Sequence, residues 1–191
     1  MKGVIPMENG AQCYRRYLSG DDEGLSEIIR DYKDGLTLYL CEISGNLFLA
    51  EEAMEETFFR IAVKKPRFSE KSAFKTWLYA IGRNAVLDQM RKHRRISDTP
   101  PESYTELADT ENDPVSEYLK EERALRLHRA MARLHSAYRQ VLYLVYFEGM
   151  SNGDAAAVMK KSRRQIENLV SRARKALKEE LLKEGFPDEI T

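Results

Sequence analysis

Residues Ser151–Leu177, SNGDAAAVMKKSRRQIENLVSRARKAL, carry the pattern that decides the fold. Ser151 with Asp154 three residues on has the spacing of a capping box, and it opens a short helix through Ala155, Val158 and Met159. A turn follows at Lys160 and Lys161, and Ser162 with Gln165 repeats the start signal. Short helix, tight turn and longer helix make a helix-turn-helix. In the longer helix Ile166, Leu169, Val170, Ala173, Leu177 and Leu181 recur every three or four residues and face a core. Opposite them lie Arg164, Asn168, Ser171 and Lys175, flanked by Arg163, Gln165, Arg172, Arg174 and Lys178. That set combines base-edge donors with phosphate contacts, the inventory of a helix laid in a major groove. A surface helix that is merely basic is the bland alternative; agreement between start signals, turn length and polar set argues against it.

Upstream, Ala124, Leu127, Met131 and Leu134 predict a helix whose outer face carries Arg123, Arg126, Arg129 and Arg133. Ser136 then introduces Tyr138, Val141, Leu142, Val145 and Tyr146, a second helix that stops at Gly149. The whole unit is expected over 117–185. Between 96 and 116 periodicity is lost and Pro100, Pro101, Pro114 and acidic residues take over. This reads as a linker of about 21 residues, reaching roughly 70 Å when extended.

The first half is also helical. From Asp21 the apolar residues Leu25, Ile28, Ile29, Tyr32, Leu36, Tyr39, Leu40 and Ile43 predict one long helix ending near Gly45. The next helix turns Ala50, Ala53, Met54, Thr57, Phe58 and Ile61 inward, leaving Glu51, Glu52, Glu55, Glu56, Phe59 and Arg60 outside. An outward aromatic among glutamates suits a protein partner, although a solvated acidic face explains it too. Pro66 ends this helix. A short basic loop, Lys64, Lys65, Pro66, Arg67, Phe68, Ser69, Glu70, Lys71 and Ser72, leads into FKTWLYAIGRNAVLDQMRKHRR, Phe74–Arg95. There Phe74, Leu78, Ile81 and Ala85 form an apolar stripe, and Trp77, Asn84 and Arg91 form a second row with Asp88 on its border. Plate, amide and guanidinium in one line can stack a base, bond its edge and hold a phosphate. A core rim followed by a solvated basic helix end is the alternative. Residues 1–20 show little pattern and read as a weakly ordered lead-in, with 21–95 as the first domain.

These readings give an all-α chain of two small domains. Its 42% hydrophobic and 32% charged residues fit strongly amphipathic helices. The net charge of zero hides alternating blocks: −6 over 1–62, +8 over 63–95, −8 over 96–122 and +6 over 123–191. Two basic blocks imply two polyanion contacts, with the acidic blocks left for protein partners or solvation. Cys13 and Cys41 are too few and too far apart for a zinc framework, and no metal or cofactor is expected. No signal peptide or membrane span is apparent, so a cytoplasmic location without membrane contact is expected. An enzyme finds no support, because His93, His128 and His135 lack metal-ligand spacing and no phosphate loop or nucleophile motif occurs.

AEEAMEETFFRIA, FKTWLYAIGRNAVLDQMRKHRR and YRQVLYLVYFEGMSNGDAAAVMKKSRRQIENLVSRARKAL together resemble the small extracytoplasmic-function group of the sigma-70 family. The resemblance spans about Asp21 to Leu182. It implies a transcription initiation factor that binds RNA polymerase core through Glu52, Glu55, Glu56, Phe59 and Arg60. It further implies that Lys64, Lys65, Arg67, Phe68, Trp77, Asn84, Asp88 and Arg91 engage and help to melt the −10 promoter element. Arg163, Arg164, Gln165, Asn168, Ser171, Arg172 and Lys175 would read the −35 element, and an anti-sigma factor is implied as a further partner. Ala53, Glu55 and Lys160 depart from the family's usual leucine, glutamine and turn glycine. A stand-alone helix-turn-helix regulator with an N-terminal sensing domain explains the last third equally well, but leaves the Trp77, Asn84, Arg91 row without a purpose.

Overall fold

The computed structural model describes residues 9–96 and 122–186, and all regular structure among them is helical. The first eight residues, the last five and all but the first residue of the expected 96–116 linker lie outside that description. The helices are α1 (Asn9–Leu18), α2 (Glu23–Ser44), α3 (Leu47–Phe59), α4 (Phe74–Ile96), α5 (Glu122–Ala132), α6 (Ser136–Leu142), α7 (Asn152–Met159) and α8 (Arg163–Lys183). A π-helical turn extends α3 over Arg60–Lys64, and another extends α6 over Tyr143–Phe147.

Helix α1 corrects the expectation of a weakly ordered lead-in. Gly10, Cys13, Tyr14 and Tyr17 are buried at spacings of three, one and three, the stripe of a helix packed on one face. Two glycines let it seat closely. A Cβ at Gly24 would lie 2.3 Å from the Cys13 carbonyl oxygen, and one at Gly10 would lie 2.5 Å from the Phe74 ring. Helix α2 ends as expected at Gly45, whose left-handed φ of 67° lets its N–H donate to Cys41 O. The Asn46 side chain then caps α3 by accepting from Leu49 N–H.

The first lobe is α2, α3 and α4 around Ile28, Leu36, Leu40, Ala53, Phe58 and Leu78, with α1 laid across one side. On α4 the buried set is Phe74, Thr76, Leu78, Tyr79, Gly82, Ala85 and Val86. Ile81, expected inside, is only half-buried, because the buried arc of α4 is centred near Gly82 and runs toward Tyr79 and Val86, leaving Ile81 at its edge. The second lobe is α5 to α8 around Met131, Val141, Leu142, Ala155, Val158, Ile166 and Ala173. One detail differs from expectation there. Tyr146 points outward while Tyr143 and Leu144 turn in, since the π-helical turn inserts a residue and rotates the side chains beyond it. Arg133 is exposed as expected but not free in solvent, since it pairs with Glu184 at 2.5 Å.

The lobes share one buried core. Tyr143 packs against Tyr39 at 6.1 Å between ring centroids, Tyr39 stacks on Tyr79 at 5.4 Å, and the Tyr143 hydroxyl donates to Gly35 O at 3.3 Å. Polar contacts ring this plug. Lys75 forms an ion pair with Glu148 and donates to its carbonyl at 3.1 Å. The Thr76 hydroxyl donates to Asp154 at 2.9 Å, and Arg139 reaches both the carboxylate and the carbonyl of Glu42 at 3.2 Å. Beside the seam a cavity of about 280 Å³ remains between α2, α4 and the start of α7, lined by Asp31, Tyr32, Tyr79, Glu148 and Asp154 among others.

Candidate nucleic-acid interface

Helix α4 places Trp77, Asn84, Asp88 and Arg91 along one line, as the spacing predicts. Packing by the rest of the molecule stops on either side of it: Leu78 and Ala85 are buried against the first lobe, and Thr76 is buried at the seam. Trp77, Asn84 and Asp88 are therefore half-buried, and Arg91 is exposed. Arg91 and Asp88 hold each other at 2.6 Å, an exposed pair that a phosphate can compete for. Arg94 and Arg95 extend the basic surface past the row.

The loop before α4 lies against the same line. Phe68 contacts Trp77 at 5.2 Å and Phe74 at 5.5 Å, so two aromatic rings meet at the head of the row. Lys64, Lys65 and Arg67 are exposed around them. Tyr14 of α1 closes the cluster at 5.3 Å from Trp77. Its hydroxyl donates to Pro66 O at 2.7 Å, and burial pushes its pKa up to about 12, so the donor stays protonated. Trp77 is thus part of an aromatic cluster that stays open on one side.

The outward stripe of α3 is longer than the sequence pattern suggests. Glu52, Glu55, Glu56, Phe59 and Arg60 are exposed or half-buried as expected, with Arg60 held by Glu56 at 2.6 Å. Phe48 and Val63, absent from the expected set, are 63% and 62% exposed, beside 56% for Phe59. Positions 48, 52, 55 and 59 share one side of α3, so apolar groups flank the glutamates. The signal lies in the four-residue step from Phe48 to Glu52.

In the second lobe the helix-turn-helix forms as the spacing predicts. Lys160 ends α7 at φ 53°, in the left-handed place where glycine is usual, and Ser162 opens α8 with a complete capping box. Ser162 Oγ accepts from Gln165 N–H at 3.2 Å and Gln165 Oε1 accepts from Ser162 N–H at 2.8 Å. Gln165 thereby has one lone pair of its side-chain oxygen tied to the helix start, while its amide N–H groups carry no such bond. At α7 the box is half-made. Ser151 accepts from Asp154 N–H, but the Asp154 carboxylate turns to the Ser151 and Thr76 hydroxyls. Arg163, Arg164, Gln165, Asn168, Ser171, Arg172 and Lys175 are all exposed or half-buried on one side of α8, with Arg163 paired to Glu167 at 2.9 Å. Ile166 and Ala173, on the opposite side of α8, are fully buried.

Among the described residues no group of three or more His, Cys, Asp and Glu stands together as a metal site, and no helix is long and apolar enough to cross a membrane. The family model for sigma-70 region 2 matches residues 28–96, and that for sigma-70 region 4 matches residues 124–177. The chain is 32% identical over 154 residues to the ECF RNA polymerase sigma factor SigC of Mycobacterium tuberculosis, covering 80% of this chain and 77% of that one. It is 26% identical over 176 residues to the ECF RNA polymerase sigma factor SigW of Bacillus subtilis, covering 85% and 91%. Among solved structures, the sigma factor RpoE in complex with the anti-sigma factor NepR, from Bartonella quintana, has a similar fold. It matches with a TM-score of 0.63 and 24% identity over 83% of this chain and 96% of that one. CnrH in complex with the cytosolic domain of CnrY matches with a TM-score of 0.60 and 21% identity over 93% and 96%.

Proposed function

The chain belongs to the extracytoplasmic-function group of the sigma-70 family, and on that premise we propose how its exposed faces divide the work of promoter recognition. As a member of that family it is a transcription initiation factor that joins RNA polymerase core and directs it to promoter DNA. Our reading assigns core binding to the α3 stripe of Glu52, Glu55, Glu56, Phe59 and Arg60, extended by Phe48 and Val63. Apolar anchors among charges fit a partner that buries the former and pairs the latter.

In the same reading, Phe68, Trp77, Asn84, Asp88 and Arg91, with Lys64, Lys65 and Arg67 around them, take an unpaired base and its backbone at the −10 element. Flipping a base costs a few kcal/mol, and stacking it returns about 1–3 kcal/mol. The balance is close, so opening depends on the further contacts that polymerase supplies. Residues Arg163 to Lys175 read the −35 element in the major groove, Arg164 and Asn168 at base edges and Arg172 and Lys175 at phosphates. All chemistry belongs to the polymerase, and the chain works in the compartment that holds it. By analogy with the family, an anti-sigma factor holds it inactive.

The observation that carries this reading is the Trp77, Asn84, Arg91 line, which two sides of packing leave open. Run-off transcription with core polymerase tests it. Trp77→Ala and Asn84→Ala should each abolish most transcription from duplex templates while retaining core binding; full activity in both would reject the assignment.

A further inference from the structure

The loop that carries Lys65, Arg67 and Phe68 has little of its own to hold it. Among the described residues, none from 66 to 72 pairs main chain with main chain outside the helices. Lys65 and Glu70 also stand at φ 43° and 57°, left-handed conformations that non-glycine residues keep only when their surroundings enforce them. The enforcement comes from α1, at four points. The Tyr14 hydroxyl donates to Pro66 O at 2.7 Å, and the Tyr17 hydroxyl donates to Ala62 O at 2.8 Å. The Lys65 ammonium sits 4.6 Å over the Tyr17 ring, and Arg15 pairs with Glu70 at 2.6 Å. The last two contacts fall on the two left-handed residues. Helix α1 precedes the segment matched by the region 2 family model, which begins at residue 28.

The geometry points to Tyr14 and Tyr17 as positioning residues for strand opening: their hydroxyls fix the path of residues 62–66 and so hold the adjoining Phe68 against Trp77. The assignment rests on the proposed −10 role of Phe68 and Trp77. Two features favour a positioning role over a purely structural one. The Tyr14 hydroxyl ends on a main-chain carbonyl of the connecting loop and the Tyr17 hydroxyl on one in the last turn before it, so both act where the chain leaves α3. The aromatic rings, which do the core packing, are separable from the hydroxyls by substitution with phenylalanine.

The test compares holoenzymes carrying wild-type chain, Tyr14→Phe/Tyr17→Phe, or Trp77→Ala on two templates, a duplex promoter and the same promoter with its −10 region already unpaired by mismatches. The tyrosine variant should open the duplex about tenfold less well, from two lost hydrogen bonds, while transcribing the unpaired template within about twofold of wild type. Duplex opening equal to wild type, or an equal loss on both templates, would overturn the positioning role. The Trp77→Ala arm judges the underlying reading separately. If Trp77→Ala opens duplex normally, the −10 assignment has failed, whatever the tyrosines do. Thermal melting of each free chain and its affinity for core polymerase keep a folding defect distinguishable from a loop defect.

Discussion

At the scale of single residues, α8, the proposed −35 helix, offers the sharpest expectation. Arg164 stands on the exposed line of α8, and its neighbour Arg163 is engaged by Glu167. Arg164→Ala should weaken holoenzyme binding to its own −35 sequence about 10- to 100-fold and relax preference at one base, whereas Lys175→Ala should weaken all duplexes alike and lower the salt slope by about one. Competition binding at two ionic strengths separates these outcomes. Tyrosine ionisation gives a second expectation. Burial pushes Tyr14 and Tyr32 up to about 12, and pushes Tyr39, Tyr79 and Tyr143 up as well. The fold favours the neutral phenols, so their contribution is complete below the unfolded value near 10 and is lost as pH rises toward 12. Melting temperature should therefore fall progressively above pH 10; a flat profile from pH 10 to 12 would contradict these environments. Most outward positions on α3, α4 and α8 are legible in the sequence because periodicity assigns faces. The Gln165 oxygen is legible both as a cap and as a base reader, and periodicity alone does not say that the cap holds it.

At the scale of elements, the turn between α7 and α8 carries a local cost. Lys160 at φ 53° occupies a backbone region that a β-branched residue tolerates poorly. Lys160→Val should cost about 1–3 kcal/mol in chemical denaturation, and Lys160→Gly should stay within about 1 kcal/mol of wild type. Equal stability of both variants would argue against a left-handed turn. Helix α1 offers a second test. Gly24→Ala sets a methyl against the Cys13 carbonyl oxygen and should cost about 1–3 kcal/mol, with loss of amide protection concentrated in α1. The long helices are legible because their aliphatic residues repeat over several turns. Helix α1 escapes the same reading because it is one short helix whose buried stripe is glycine, cysteine and tyrosine, with no buried aliphatic residue to mark a period. Its spacing of 10, 13, 14 and 17 is nonetheless helical throughout.

At the scale of the whole molecule, the two lobes meet at a tyrosine plug with polar contacts around it. A double-mutant cycle probes the ion pair in that ring. Glu148→Arg alone sets two cations together and should expand the free chain in small-angle scattering, while Lys75→Glu/Glu148→Arg should restore the compact value. A radius of gyration unmoved by the single substitution would show that the pair does not hold the lobes. Sequence patterns separate two basic modules and leave their mutual placement open, for a physical reason. The seam is built from Lys75, Thr76, Arg139 and Tyr143, residues that obey no period and advertise no partner until the lobes are side by side.

On the α2 side, that joint is received largely by main-chain oxygens, at Gly35, Glu42 and Ile43. No exchange of side chain erases a carbonyl. Replacing a donor, Tyr143, Ser136 or Arg139, deletes its bond outright, whereas α2 can alter the same joint only through bulk or charge, as at Gly35, where a Cβ would lie 2.7 Å from the Glu148 carboxylate and the Tyr79 hydroxyl.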